Sequence, residues 1–245
     1  MNLIEVRNLR VRYGAFEAVR GVDFTLGEGE ILGIVGESGS GKSTIAKALM
    51  GLEKPSAGKI QVASGVRMQM VFQDAVGSLN PRMTVRDTLS EVLSCSRPSK
   101  SERLNSGYTP ESLLSLVGLN AAVLNQYPRE MSGGQCQRVS IARALACSPQ
   151  VIVADEPVSA LDVSVQARIL NLLRDLRQRL GLSILLVAHD LAVVRNICDR
   201  VSVMEKGVFV ETGSADEIFS SPSSDYTRRL IAAVPDVGRS FLTAK

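Results

Sequence analysis

No apolar run in these 245 residues approaches the roughly 20 that a membrane-crossing helix needs. The first residues, Met1-Asn2-Leu3-Ile4-Glu5-Val6-Arg7, lack the basic start and apolar stretch of a signal peptide. Any membrane role is therefore expected to run through a partner. The four cysteines, Cys95, Cys136, Cys147 and Cys198, form no C-x-x-C pair. That argues against a zinc site or a disulfide framework and for reduced thiols in the cytosol. There is no block of like charges, and a net charge of +3 is too small to argue for nucleic acid. No internal repeat is visible, and there is a single histidine. What remains is an ordinary soluble composition, 45% apolar and 22% charged, long enough for one large domain or two small ones.

Within that background one stretch stands out: Gly36-Glu37-Ser38-Gly39-Ser40-Gly41-Lys42-Ser43-Thr44. An apolar run, Ile31-Leu32-Gly33-Ile34-Val35, precedes it, and a breaker-free Ile45-Ala46-Lys47-Ala48-Leu49-Met50 follows. Strand, glycine loop and helix are the context of a phosphate-binding loop. Glycines let successive N–H groups turn inward, and the helix start aims its free N–H groups at the same point. Lys42 supplies a cation for the β- and γ-phosphates, and the Ser43 hydroxyl is a Mg²⁺ ligand candidate.

Residues 2–12 alternate apolar and polar, as do 19–26; 59–62 and 68–72 also read as strands. A small, partly antiparallel sheet beside the nucleotide is expected for this first third. From residue 76 the texture becomes helical, with helices expected at 85–93, 110–117 and 121–126 and a mobile polar segment at 94–108. Residues 151–154 and 183–188 are apolar runs bounded by breakers, which fits strands buried on both faces. Residues 165–180 carry Ile169, Leu172, Leu173, Leu176 and Leu180 at helical spacing. A helix at 191–198 and a hairpin of 201–204 with 208–211 complete the pattern. Strand–helix alternation of this kind predicts an α/β fold with a mainly parallel sheet.

Asp155-Glu156 ends one buried run. Ligands gather at the carboxyl ends of parallel strands, so one carboxylate can serve Mg²⁺ and the next can orient or deprotonate the attacking water. His189 ends the other buried run, on the same sheet edge, where a neutral imidazole can bond the γ-phosphate or the water. Met131-Ser132-Gly133-Gly134-Gln135 opens a further helix. Its Ser and Gly donors suit a second phosphate-recognition element, yet it has no evident use within one subunit.

Together these residues resemble the nucleotide-binding subunit of an ATP-binding-cassette (ABC) transporter, over roughly residues 3–235. Gly36 to Thr44 resembles the Walker A loop, with Gly36, Ser38, Gly39, Ser40, Gly41, Lys42, Ser43 and Thr44 on the nucleotide. Residues 151–156 resemble Walker B. Ser132, Gly133, Gly134 and Gln135 resemble the family signature. Ser159-Ala160-Leu161-Asp162 resembles the D-loop, and His189 resembles the switch histidine. Gln73 resembles the Q-loop glutamine, and Tyr13 the aromatic stacked on adenine. The resemblance implies a P-loop NTPase (RecA-like) core with a mainly parallel sheet, a small antiparallel β subdomain and an inserted helical subdomain at about 76–148. One ATPase domain would cover 1–235, with a short tail at 236–245. It implies ATP and Mg²⁺ as cofactors. Ser43, Gln73 and Asp155 would sit at the metal, and Glu156, His189 and Gln73 at the chemistry. Two cassettes would meet head to tail, each signature acting on the other's ATP.

The finer resemblance is to the dipeptide/oligopeptide/nickel importer branch. It rests on Val71-Phe72-Gln73-Asp74, on residues 77–82 and 154–166, and on 222–235 with Tyr226-Thr227 and Leu230-Ile231. That branch implies a second, often different cassette, two integral membrane permease subunits and a solute-binding protein, with no nucleic acid. It places the chain peripherally on the cytoplasmic face of the bacterial inner membrane. Two departures stand out: Cys136 replaces the usual Arg, and the chain stops soon after Pro235, which leans towards nickel or another small solute over oligopeptides. The competing readings are a soluble non-transport ABC ATPase and a small-molecule kinase. The first usually carries two cassettes or a long coiled-coil insertion; the second leaves residues 132–135 idle.

Overall fold

The computed structural model describes residues 1–95, 107–159 and 161–233. Most of the expected mobile segment, Ala160 of the D-loop match and the expected tail lie outside them.

The N-terminal alternation forms β1 (Asn2–Tyr13) and β2 (Phe16–Gly27), an antiparallel pair turned at Gly14. β2 starts earlier than its alternation because Phe16 and Glu17 pair with Tyr13 and Arg12. β3 (Ile31–Val35), the glycine loop and α1 (Lys42–Leu49) follow. β4 (Ala57–Val62) pairs with the other edge of β1, giving the order β2-β1-β4, antiparallel throughout. β5 (Met68–Val71) does not join it but runs parallel to β6 (Val151–Asp155). The expected sheet of the first third is thus corrected: β1, β2 and β4 form it alone, while β3 and β5 go to the larger sheet.

Between β5 and β6 the described chain is helical: α2 (Val85–Cys95), α3 (Pro110–Leu116), 3-10 turns at Ala121–Asn125 and Pro128–Glu130, and α4 (Gly133–Leu145). After β6 come α5 (Val163–Leu180), β7 (Ser183–Ala188), α6 (Leu191–Arg195), β8 (Arg200–Glu205), β9 (Val208–Ser214), α7 (Ala215–Ser220) and α8 (Asp225–Ala232). Gly181, left-handed at φ 65°, stops α5. α6 is shorter than expected, because Ile197 and Cys198 both donate to the Val194 carbonyl and close a tight turn into β8.

The larger sheet has the order β5-β6-β7-β3-β8-β9, parallel except for β9. Every residue of β3, β6 and β7 is buried, because both faces are covered. Ile31, Val35, Ile152, Ala154, Ile184 and Leu186 face the core shared with α4 and α5. Their neighbours Leu32, Ile34, Val151, Val153, Leu185 and Val187 face the core shared with α1 and the antiparallel sheet. Each Val, Leu or Ile side chain among them contributes about 1.5–3 kcal/mol by its removal from water.

The register fixes where function can sit. Val35 pairs with Ala188, Asp155 with Val187 and Val71 with Ala154. The strands leading to the glycine loop, to Gln73, to Glu156 and to His189 therefore finish level with one another, at one sheet edge.

Candidate active site

The glycine loop is shaped by close approach. Gly36 and Gly41 have φ of 155° and 111°. A Cβ on Gly36 would lie 2.1 Å from the Met204 carbonyl oxygen, and one on Gly41 2.4 Å from that of Ala18. Gly39, at φ 79°, needs only the left-handed backbone, since nothing lies within 4 Å of its Cβ position. Lys42 is 4% exposed, and its Nζ donates to the carbonyls of Gly36 and Glu37, both at 2.8 Å. Burial holds its pKa below the ordinary lysine value, against the opposing pull of the Glu156 and Asp155 charges. The Ser40 side chain is buried, and its Oγ has no hydrogen-bond partner among the described residues.

Opposite the loop, Ser43 Oγ donates to Asp155 Oδ1 at 2.8 Å. Burial lifts the Asp155 carboxyl above its ordinary range; the Ser43 bond opposes this, Glu156 adds to it, and Lys47 and Lys42 oppose it. Glu156 has φ 46°, a left-handed conformation that costs a non-glycine residue on the order of 1–3 kcal/mol. Its N–H still donates to the Val187 carbonyl at 3.0 Å, prolonging the ladder. Gln73 Nε2 donates to Glu156 Oε2 and to Ser159 Oγ, each at 3.2 Å. His189 Nδ1 lies 3.1 Å from the same Glu156 oxygen. Against an ionised carboxylate, which only accepts, Nδ1 is the donor in this contact.

A cleft of about 330 Å³ joins these groups to the antiparallel sheet. It is lined by Tyr13, Phe16, Ala18, Ser38, Gly39, Gly41, Lys42, Ser43, Thr44, Gln73 and Glu156. Tyr13 and Phe16 are 43% and 64% exposed there. Burial first, with Glu53 adding, raises the Tyr13 hydroxyl pKa, while a hydrogen bond with Thr44 lowers it.

Ser132, Gly133, Gly134 and Gln135 do not line this cleft. They form the start of α4, with Ser132 accepting from Gln135 N at 3.3 Å and Gln135 Oε1 accepting from Ser132 N at 2.8 Å. Gly133 lines a second cleft with Gln73, Pro157 and Leu161. Cys136, where an arginine was expected, is buried, and its thiol donates to the Pro128 carbonyl at 3.5 Å. Arg143 of α4 reaches across to donate to the Ser78 carbonyl at 2.6 Å, tying the signature helix to the segment after Gln73.

Sequence reasoning missed Phe16, Ser159 as a partner of Gln73, and Arg143. Only Phe16 left a signal, an aromatic next to a predicted turn beside Tyr13. The other two depend on contacts across the fold.

The donors suit a nucleoside triphosphate with Mg²⁺. A loop with a sequestered lysine and an unpartnered buried hydroxyl faces a hydroxyl–carboxylate pair, all oxygen donors, as a hard cation requires. Among the described residues no group of three or more His, Cys, Asp or Glu would hold a metal alone. A cation shared with phosphate oxygens needs no such group.

A glycine-rich loop between β3 and α1, beside a strand that ends in a carboxylate bonded to the loop's Ser43, defines a P-loop nucleoside triphosphatase fold. The ABC transporter family pattern matches residues 19–159. The oligopeptide transport ATP-binding protein OppF of Salmonella typhimurium is 44% identical, over 95% of this chain and 78% of that protein. The OppF protein of Lactococcus lactis subsp. lactis is 45% identical, over 90% and 73%. Among solved structures, the dimeric post-hydrolysis state of an ATP-binding cassette bound to ADP and Pi matches with a TM-score of 0.74 and 27% identity, over 86% of this chain and 98% of that one. The chain belongs to the ABC transporter family and is an ABC-type ATPase.

Proposed function

We propose that the chain is the ATP-hydrolysing subunit of a bacterial ABC importer for peptides. The observation that carries this is the division of the site. The loop, Gln73 and Glu156 line one cleft, with Asp155 bonded to its Ser43 and His189 to its Glu156, while residues 132–135 do not line it. One chain thus holds a complete binding half and a donor-rich helix start with nothing to bind. A second cassette, like or unlike, supplies the missing neighbour. Tyr13 and Phe16 receive the base, and the loop N–H groups and Lys42 receive the phosphates. Ser43, Asp155 and Gln73 would hold Mg²⁺, which when bound would neutralise phosphate charge. Glu156 takes the proton of the attacking water, and His189 orients it.

The similarity to oligopeptide transport ATP-binding proteins supports peptides as the solute and draws the reading away from nickel. It gives no support to a soluble non-transport ATPase. Residues 1–235 form the cassette, with the helical subdomain at about 76–148 and a tail at 236–245. No helix among the described residues is long and apolar enough to cross a membrane, in keeping with a peripheral subunit on the cytoplasmic face of the inner membrane. Two permease subunits and a solute-binding protein complete the importer. The Arg143–Ser78 bond offers a rigid route from the segment after Gln73 to the signature helix.

The test is genetic and biochemical together. Deletion should abolish uptake of a labelled oligopeptide, wild type should restore it, Glu156→Gln should not, and the chain should co-purify with integral membrane subunits. Normal peptide uptake in the deletion strain, with no membrane protein captured, would remove the reading.

A further inference from the structure

The phosphate loop is held from outside by the C-terminal third of the chain. Gly207 N donates to the Ser40 carbonyl at 2.9 Å. The Met204 carbonyl fills the space where Gly36 has no Cβ. The third contact comes from a side chain: Tyr226 on α8, 6% exposed, accepts at its hydroxyl oxygen from Glu37 N at 3.1 Å.

That contact involves one particular peptide unit. The Gly36 carbonyl and the Glu37 N–H belong to the same plane. Its carbonyl end accepts from Lys42 Nζ at 2.8 Å, and its N–H end donates to Tyr226. A planar peptide fixed at both ends cannot rotate without breaking both bonds. α8 is itself anchored: Glu211 of β9 accepts from Ser223 N at 2.7 Å, Ser223 Oγ at 2.9 Å and Ser224 N at 3.1 Å, immediately before the helix. Ser224 then caps the helix by accepting from Tyr226 N at 3.2 Å.

We propose that Tyr226 is a positioning residue for the phosphate loop, fixing the Gly36–Glu37 peptide plane and, through the Gly36 carbonyl, the resting place of the Lys42 ammonium. The inference rests on the reading of this loop as the triphosphate cradle. Loss of the hydroxyl frees the Glu37 N–H to compete for other acceptors and loosens the cradle, without emptying the space under the ring. α8 thereby acts on nucleotide affinity from outside the nucleotide cleft.

The experiment compares the intact wild-type protein with Tyr226→Phe, which keeps the ring and removes the oxygen. Affinities for ATP, ADP and adenosine are measured, with amide hydrogen exchange over residues 36–41. ATP and ADP binding should weaken about three- to ten-fold, the effect of one neutral hydrogen bond. Adenosine, which does not reach the loop, should bind as before, and Glu37 exchange should accelerate. Unchanged ATP and ADP affinity, or equal weakening of all three ligands, would overturn the positioning role. Lys42→Ala separates the two levels of the argument. If it leaves ATP binding intact, the cradle reading itself fails. If it weakens binding while Tyr226→Phe does not, only the role of Tyr226 falls.

Discussion

His189 and Glu156 stand 3.1 Å apart across two neighbouring strand ends, ring Nδ1 to carboxylate Oε2. Gln73 donates to the same oxygen from the end of a third strand. The carboxylate is 15% exposed and the imidazole half-exposed, so the pair bridges the buried sheet edge and the open cleft. The proposed base thus sits in a strained left-handed turn with partners from two other strands.

Replacing the proposed base isolates its chemistry. Glu156→Gln retains size and one acceptor but cannot take a proton. Turnover should fall by at least about 100-fold, while ATP affinity stays within a few-fold of wild type. Single-turnover hydrolysis beside calorimetric binding checks both. Undiminished hydrolysis would mean that another group takes the proton.

The glycines of the loop should differ in their tolerance. Gly41→Ala drives a Cβ against the Ala18 carbonyl and should cost on the order of 2–4 kcal/mol, with nucleotide binding lost. Gly39→Ala meets no atom and should cost about 1 kcal/mol, the left-handed penalty alone. Chemical denaturation of the two variants measures the contrast; equal losses would refute the steric account.

Two aromatics line the mouth of the cleft where sequence reasoning chose one. Tyr13→Ala and Phe16→Ala should each raise the KM for ATP, by about three- to ten-fold for the ring that stacks on the base. Neither should change the affinity for tripolyphosphate, which has no base. If Phe16→Ala is silent and Tyr13→Ala is not, the base rests on Tyr13 alone.

Glu211 gives a pH dependence with a defined sign. Burial alone would raise its carboxyl, but hydrogen bonds at the start of α8 outweigh that and hold it below its ordinary value of 4.5. Its contribution to stability is therefore full above about pH 4.5 and is lost as the pH falls through the lower folded value. Solvent screening limits it to less than about 1 kcal/mol. Glu211→Gln should thus be less stable than wild type near pH 7, and the gap should close on acidification. Urea melts at several pH values test this, and a gap that widens in acid would contradict it.

Local patterns alone pointed to the strand–loop–helix unit around residues 31–50, the buried strands at 151–154 and 183–188, and the amphipathic helix at 165–180. The reason is physical: a glycine loop, an unbroken apolar run and a 3.6-residue period are each written in consecutive residues, and each forces one conformation wherever it lies. Family resemblance then gave Gln73, His189 and residues 132–135 their expected parts, which spacing alone had left open. Other features belong to the tertiary structure. Whether residues 68–71 joined the small sheet or the large one is not written in their own pattern, and β6 took them in parallel. The meeting of Gln73 and His189 at one carboxylate came from strand register. The grip of Tyr226 on Glu37 came from the path of a chain returning from its far end. Contacts between residues so distant in sequence leave no periodic trace, because they are fixed by packing around a shared sheet rather than by the conformational preferences of neighbours.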